Sequence, residues 1–141
     1  MTERAICLAF LCLVVAGCGK SEEEPKGEVK GTVTFAGEPV TEGYVSFFNQ
    51  QRGIEFEVPI EEEGTFVVRS REGKTIPANL EYVVTVRPLR VVGNPPGDKS
   101  APFEMDKEAP NIPEKYRQSS SSPLKVTIKE GDNEVKVEML P

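Results

Sequence analysis

From Glu28 onward apolar and polar residues alternate with a period of two, the pattern of β-strands that bury one face. Val29, Gly31, Val33 and Phe35 alternate with Lys30, Thr32 and Thr34. The turn residues Ala36-Gly37-Glu38-Pro39 follow, and after Gly43 a second run sets Val45 and Phe47 against Tyr44 and Phe48. Ile54, Phe56 and Val58 then alternate with Glu55 and Glu57, and Pro59 marks that run as an edge strand or its end. Glu61-Glu62-Glu63-Gly64 predicts a turn, Thr65–Ser70 a strand with Phe66 and Val68 inward, and Leu80–Arg87 a strand with Tyr82, Val84 and Val86 on one face. The last two runs read as a hairpin. Leu124, Val126 and Ile128 precede Glu130-Gly131-Asp132-Asn133, and Val135, Val137 and Met139 follow it. No run carries the period of a long amphipathic helix. Seven short strands separated by turn residues predict an all-β fold, a seven-stranded antiparallel Greek-key β-sandwich over residues 28–141.

One stretch breaks the pattern. Residues 88–123 hold seven prolines and no strand-like alternation. Proline cannot donate to a ladder, so this Pro-rich segment is expected to be a long loop laid over the sandwich in extended form. Within it, Tyr116 beside Lys115 and Arg117 is the candidate recognition site, because aromatic and guanidinium groups dominate binding hot spots. The competing reading makes Ile112 and Tyr116 pins that staple the loop to the sheet, and it is the preferred one.

The N-terminus reads differently again. Arg4 precedes an apolar run from Ala5 to Gly17, which is shorter than the roughly 20 residues a membrane span needs. The run ends in Val15-Ala16-Gly17-Cys18, which looks like a lipobox. Residues 1–17 are therefore expected to be a lipoprotein signal peptide, cut before Cys18, whose thiol accepts a diacylglyceryl group. An ordinary secretory signal and an uncut helix are the alternatives. Residues 18–27, charged and aperiodic, read as the lipidated cysteine and a flexible tether. The expected location is the bacterial cell envelope, on the periplasmic or cell-surface face of a membrane, with membrane lipid as partner through Cys18.

Composition narrows the function. A net charge of −6 repels phosphate backbones, so nucleic acid is not an expected partner. All three cysteines lie at or before position 18, so no disulfide is expected in the domain. The chain has no histidine, which removes the commonest general base and transition-metal ligand. No metal and no cofactor is expected. Glu61, Glu62 and Glu63 could offer oxygen ligands to calcium, but adjacent residues on a turn diverge, and a solvated turn is the simpler reading.

Val29-Lys30-Gly31-Thr32-Val33, Gly37-Glu38-Pro39-Val40 and Gly43-Tyr44-Val45-Ser46-Phe47 together resemble the opening of carboxypeptidase regulatory-like domains. Glu61-x-x-Gly64-x-Phe66 is similar to that family's Asp-x-x-Gly-x-Phe motif, with Glu in place of Asp. Pro77-Ala78 followed by Tyr82-x-Val84-x-Val86 resembles its Pro-Ala-Gly-x-Tyr-x-Val-x-Val stretch, with a longer turn here. Ile112-Pro113-Glu114-Lys115-Tyr116 matches a segment of small bacterial lipoproteins of this type. The resemblance implies a transthyretin-like, Ig-like sandwich and an accessory or binding role. Tyr116-Arg117-Gln118-Ser119 also resembles the terminal motif of transthyretin-related hydroxyisourate hydrolases, but those enzymes rely on histidines and this chain has none.

The expectation is a non-enzymatic module that contacts an envelope protein. A carbohydrate- or cell-wall-binding module that stacks a glycan on Tyr44, Phe48 or Tyr116 is the alternative. An enzyme of unrecognised type is the third reading.

Overall fold

The structure, a computed structural model, describes residues 22–71 and 73–141. The lipobox residues Val15, Ala16 and Gly17, and Cys18, lie outside the described residues. No helix among those described is long and apolar enough to cross a membrane.

The chain is all-β and consistent with a β-sandwich. Strand β1 (Lys26–Phe35) is the spine of a five-stranded sheet. It begins two residues earlier than the alternation predicts, so Lys26 and Gly27 of the expected tether are already paired. One side of β1 carries β11 (Gly131–Met139) over its length. Three short strands share the other side in succession: β6 (Thr75–Pro77), β5 (Thr65–Val67) and β2 (Glu38–Pro39). The second sheet runs in the order β10 (Lys125–Ile128), β7 (Leu80–Arg87), β3 (Tyr44–Asn49) and β4 (Ile54–Pro59). Two single 3-10 turns, Glu62–Gly64 and Glu114–Tyr116, complete the regular structure with a separate hairpin described below.

Inward residues match the alternation. Val29, Val33, Val45, Phe47, Phe66, Tyr82, Val84, Val86, Ile128, Val135, Val137 and Met139 form one buried cluster drawn from both sheets. Phe47 and Phe66 meet across it at 5.8 Å between ring centroids. Each such side chain contributes roughly 1.5–3 kcal/mol by leaving water. Tyr82 lies wholly inside, yet its hydroxyl donates to the Pro77 carbonyl at 2.8 Å, which meets the polar end's need for a partner.

Three expectations are corrected. The strands number eleven among the described residues, because two short pieces along β1 (β2 and β6) and two strands within residues 88–123 add four to the seven expected. The sheet is not wholly antiparallel, since β1 and β11 run parallel in register from Gly27↔Gly131 to Phe35↔Met139. The terminal strands form no hairpin, because β10 pairs with β7 and β11 with β1. The cause lies at the corner between them. The Asn133 side chain donates to the carbonyls of Lys129 and Gly131 and accepts the Lys129 N–H at 2.8 Å. With Gly131 at a φ of 87°, this local clamp turns the chain from one sheet to the other. The apolar faces of β10 and β11 then meet across the core instead of side by side.

The long segment is also ordered differently from its expectation. Strands β8 (Arg90–Gly93) and β9 (Phe103–Asp106) pair with each other and with no other strand among the described residues. They stand apart from the two large sheets. Val92 is 77% exposed and Phe103 46% exposed, so this ribbon has no buried face to create alternation in the sequence.

Two outcomes follow. A Cβ on Gly31 would collide with the Val135 carbonyl and sit 2.7 Å from the Phe66 ring. Gly31→Ala should therefore cost about 3 kcal/mol in chemical denaturation, at the upper end for overpacked sites. Burial, the largest influence, raises the Tyr82 phenol above its usual value, and the Arg52 charge opposes it weakly. A raised folded pKa means stability that is complete below the unfolded value near about 10 and falls as pH rises above it. Tyr82→Phe should flatten that alkaline loss, as read from unfolding curves at increasing pH.

Candidate functional site

The outward side of the second sheet carries the residues that the core alternation leaves over. Tyr44, Ser46 and Phe48 point outward from β3, Glu55 and Glu57 from β4, and Thr85 and Arg87 from β7. Register places Tyr44 beside Arg87, and Ser46 between Glu57 and Thr85. Ser46 and Thr85 are buried and share a hydroxyl hydrogen bond of 2.7 Å, which satisfies two polar groups under the surface.

Arg87 is the centre of this face. Its guanidinium donates to Glu55 at 3.0 Å and also to Glu57, so one cation reaches across β3 to hold two carboxylates of the edge strand β4. These groups are partly exposed, and such pairs contribute about 0–1 kcal/mol each. Their effect is to fix the shape and charge of the face.

Two hollows open on either side of Arg87. One, of about 380 Å³, lies between Tyr44, Glu57 and Arg87 and the β8–β9 ribbon, which contributes Arg90, Glu104 and Asp106. The other, of about 290 Å³, lies between Phe48, Glu55, Thr85 and the segment from Arg117 to Ser120. The ribbon is tied down by Lys107, whose ammonium donates to both Glu42 carboxylate oxygens at 2.7 and 2.8 Å. Each hollow thus joins a half-buried aromatic ring to charged groups, with Thr85, Ser119 and Ser120 adding hydroxyls in the smaller, which suits a ligand with both polar and flat apolar surfaces.

Tyr116 and Arg117 take up other positions. The Tyr116 ring is 4% exposed, packed with Ile112 in the core, and its hydroxyl accepts the Leu140 N–H at 3.0 Å. As placed it pins the long segment to the end of β11 and turns no face to a partner. Lys115 covers it, with its ammonium 5.1 Å from the ring centroid. Arg117 uses its guanidinium to hold the carbonyls of Ile112, at 2.9 Å, and Ala109, at 3.2 Å. It also lines the smaller hollow, so it belongs to the face by its flank. Arg87, Tyr44 and Phe48 carry the site, and only the last two stood out by their pattern. Arg87 entered the sequence reading only as the last residue of the Leu80–Arg87 strand, since its carboxylate partners lie 30 and 32 residues away in the chain.

Glu61, Glu62 and Glu63 are exposed on their turn. No group of three or more His, Cys, Asp or Glu among the described residues is arranged to hold a metal ion. No family model matches the chain, nor does any curated protein or solved structure.

Replacing Tyr116 by Phe keeps the ring and removes the acceptor for Leu140. The variant should lose about 1 kcal/mol of stability, typical of one partly buried hydrogen bond, in urea titrations. A stability equal to the parent would show that the hydroxyl is not the pin.

Proposed function

We propose that this chain is an exported lipoprotein, held on a bacterial envelope membrane by lipid on Cys18. We read its domain as a transthyretin-like, carboxypeptidase regulatory-like module with Greek-key connections that binds an envelope protein and does no catalysis. The address rests on the Val15-Ala16-Gly17-Cys18 pattern after a short apolar run, and the domain type on the motifs from Val29 to Val86.

One geometric observation supports a binding role. The described chain enters at one end of the sandwich, where the Pro25 carbonyl accepts the Ala78 N–H and Lys26 lies opposite Pro77. Strand β7 starts at that end with Leu80 and finishes at Arg87, seven residue steps or roughly 24 Å away. The β8–β9 ribbon and the larger hollow are at the Arg87 end. A tether from Cys18 would therefore approach one end of the domain, while the Arg87 end faces away from the lipid. The Val92 and Phe103 side chains on the ribbon would be presented there too, and exposed apolar groups of this kind mark contact surfaces.

A second reading, a glycan or cell-wall partner, draws on Tyr44 and Phe48. Each is a partly exposed ring beside paired charges, the combination that stacks and hydrogen-bonds a sugar.

Two measurements test these readings. Metabolic labelling with a fatty acid should mark the parent chain and leave Cys18→Ser unmarked and released from membranes. Retained label in that variant would end the lipoprotein reading. A photoreactive residue at Tyr44 in intact cells should give a discrete protein adduct, whereas one at Tyr116 should not. Diffuse glycan adducts from Tyr44 would move the second reading ahead, and turnover of a defined substrate by the purified chain would end the non-enzymatic one.

A further inference from the structure

A hollow of about 540 Å³ lies across β4 from the two beside Arg87, sharing Glu57 with the larger of them and Glu55 with the smaller. It is a cleft between β4, the last strand of the four-stranded sheet, and the chain that joins β5 to β6 in the other. Its floor is apolar, made by Ile54, Phe56, Ile76 and Pro77. Ile54 and Phe56 are only partly buried because no strand lies beyond them.

The backbone at this cleft is an open edge. Strand β4 pairs with β3 alone among the described residues. Ile60 donates its N–H to the Gly43 carbonyl at 2.9 Å, so by alternation Phe56 and Val58 direct their backbone groups to β3. Glu55 and Glu57 direct theirs away from it, along the cleft. Exposed edges of this kind are templates for another strand, and proteins that leave one bare with an apolar cleft beside it use it for peptide addition.

Charge identifies the guest. The acids on the rim are already paired: Glu55 and Glu57 with Arg87, and Glu24 with Arg52. The opposite wall carries Arg69 and Arg71, and neither has an ion pair among the described residues. In a chain of net charge −6, the cleft therefore holds two guanidiniums that no carboxylate among the described residues pairs. Guanidinium is the side chain best suited to grip one.

We propose that this cleft binds an extended acidic peptide segment of a partner protein, added as a strand along β4. Its inward side chains alternate between an apolar group over Phe56 and Ile76 and a carboxylate held by Arg69 and Arg71. The inference rests on the reading of the domain as a binding module and gives that module a partner class, at a surface separate from the Arg87 face. It does not depend on lipid at Cys18.

The test uses the full chain in detergent and two labelled twelve-residue peptides, one repeating Val-Thr-Glu-Thr and the other Val-Thr-Lys-Thr, followed by fluorescence anisotropy. The glutamate peptide should bind about tenfold or more tightly than the lysine peptide. R69E/R71E should reverse that preference, and N-methylation of alternate peptide amides along one edge should abolish binding. Both arginines are exposed, so the double variant should fold; if it does not, R69S/R71S serves, with loss of preference expected in place of reversal. Equal affinity for the two peptides, or a preference unchanged in either arginine variant, would overturn the proposal. Self-association of the parent that disappears in R69E/R71E would assign the cleft to a second copy and overturn it as well. Peptide binding with a Tyr44 face that gives no adducts would end the other surface's claim and leave this one standing. Tyr44 adducts without peptide binding would do the reverse.

Discussion

The fold depends on how closely β11 can lie against β1. Gly31 leaves no Cβ at the point where the Val135 carbonyl and the Phe66 ring converge on the strand, and Gly27 does the same beside the Lys129 carbonyl. Those two positions let nine residues of β11 run in parallel register along the spine. Every other piece of that sheet is then placed by the remaining side of β1, which three short strands divide among themselves. Pieces of two or three residues have too few backbone bonds to persist alone, so their order depends on the spine. The first and last strands of the described residues are thereby paired, from Gly27 opposite Gly131 to Phe35 opposite Met139.

From this arrangement follows where the surfaces lie. The Asn133 corner sends β10 and β11 into different sheets, with β10 beside β7 at one end of the four-stranded sheet and β4 the last strand beyond β3 at the other. Strand β4 is therefore shared by both candidate surfaces. Its outward carboxylates are fixed by Arg87 and shape the exposed face, while its backbone edge borders the cleft with Arg69 and Arg71. The ion cluster takes up the carboxylates on one side of the strand, and Arg69 and Arg71 on the opposite wall have no ion pair among the described residues.

Much of this was legible in the residues, and the limit has a physical origin. A period of two states which face a residue takes, and Val45, Phe47, Tyr82 and Val137 all lie inward as their alternation requires. The same period does not say which strand is the neighbour. Leu124–Ile128 and Val135–Met139 carry the pattern of a hairpin, and only the Asn133 clamp, a side chain bonding to its own local backbone, directs them to separate sheets. The β8–β9 ribbon buries neither face and so leaves no alternation to read. Tyr116 was legible as an anchor because a long proline-rich segment needs one, and its ring and hydroxyl are both engaged. Arg69 and Arg71 could not be singled out in the chain, since their significance lies in the cleft they line and in having no ion pair among the described residues.

The central claim is that the sandwich is closed along β1 and open along β4, and amide hydrogen exchange on the full chain tests it residue by residue. The account predicts slow exchange at Val29 and Val33 on the spine. It predicts alternation on β4, with Phe56 and Val58 protected by β3 and Glu55 and Glu57 exchanging fast. Glu55 and Glu57 amides as protected as that of Phe56 would contradict it, because that edge would then already be occupied.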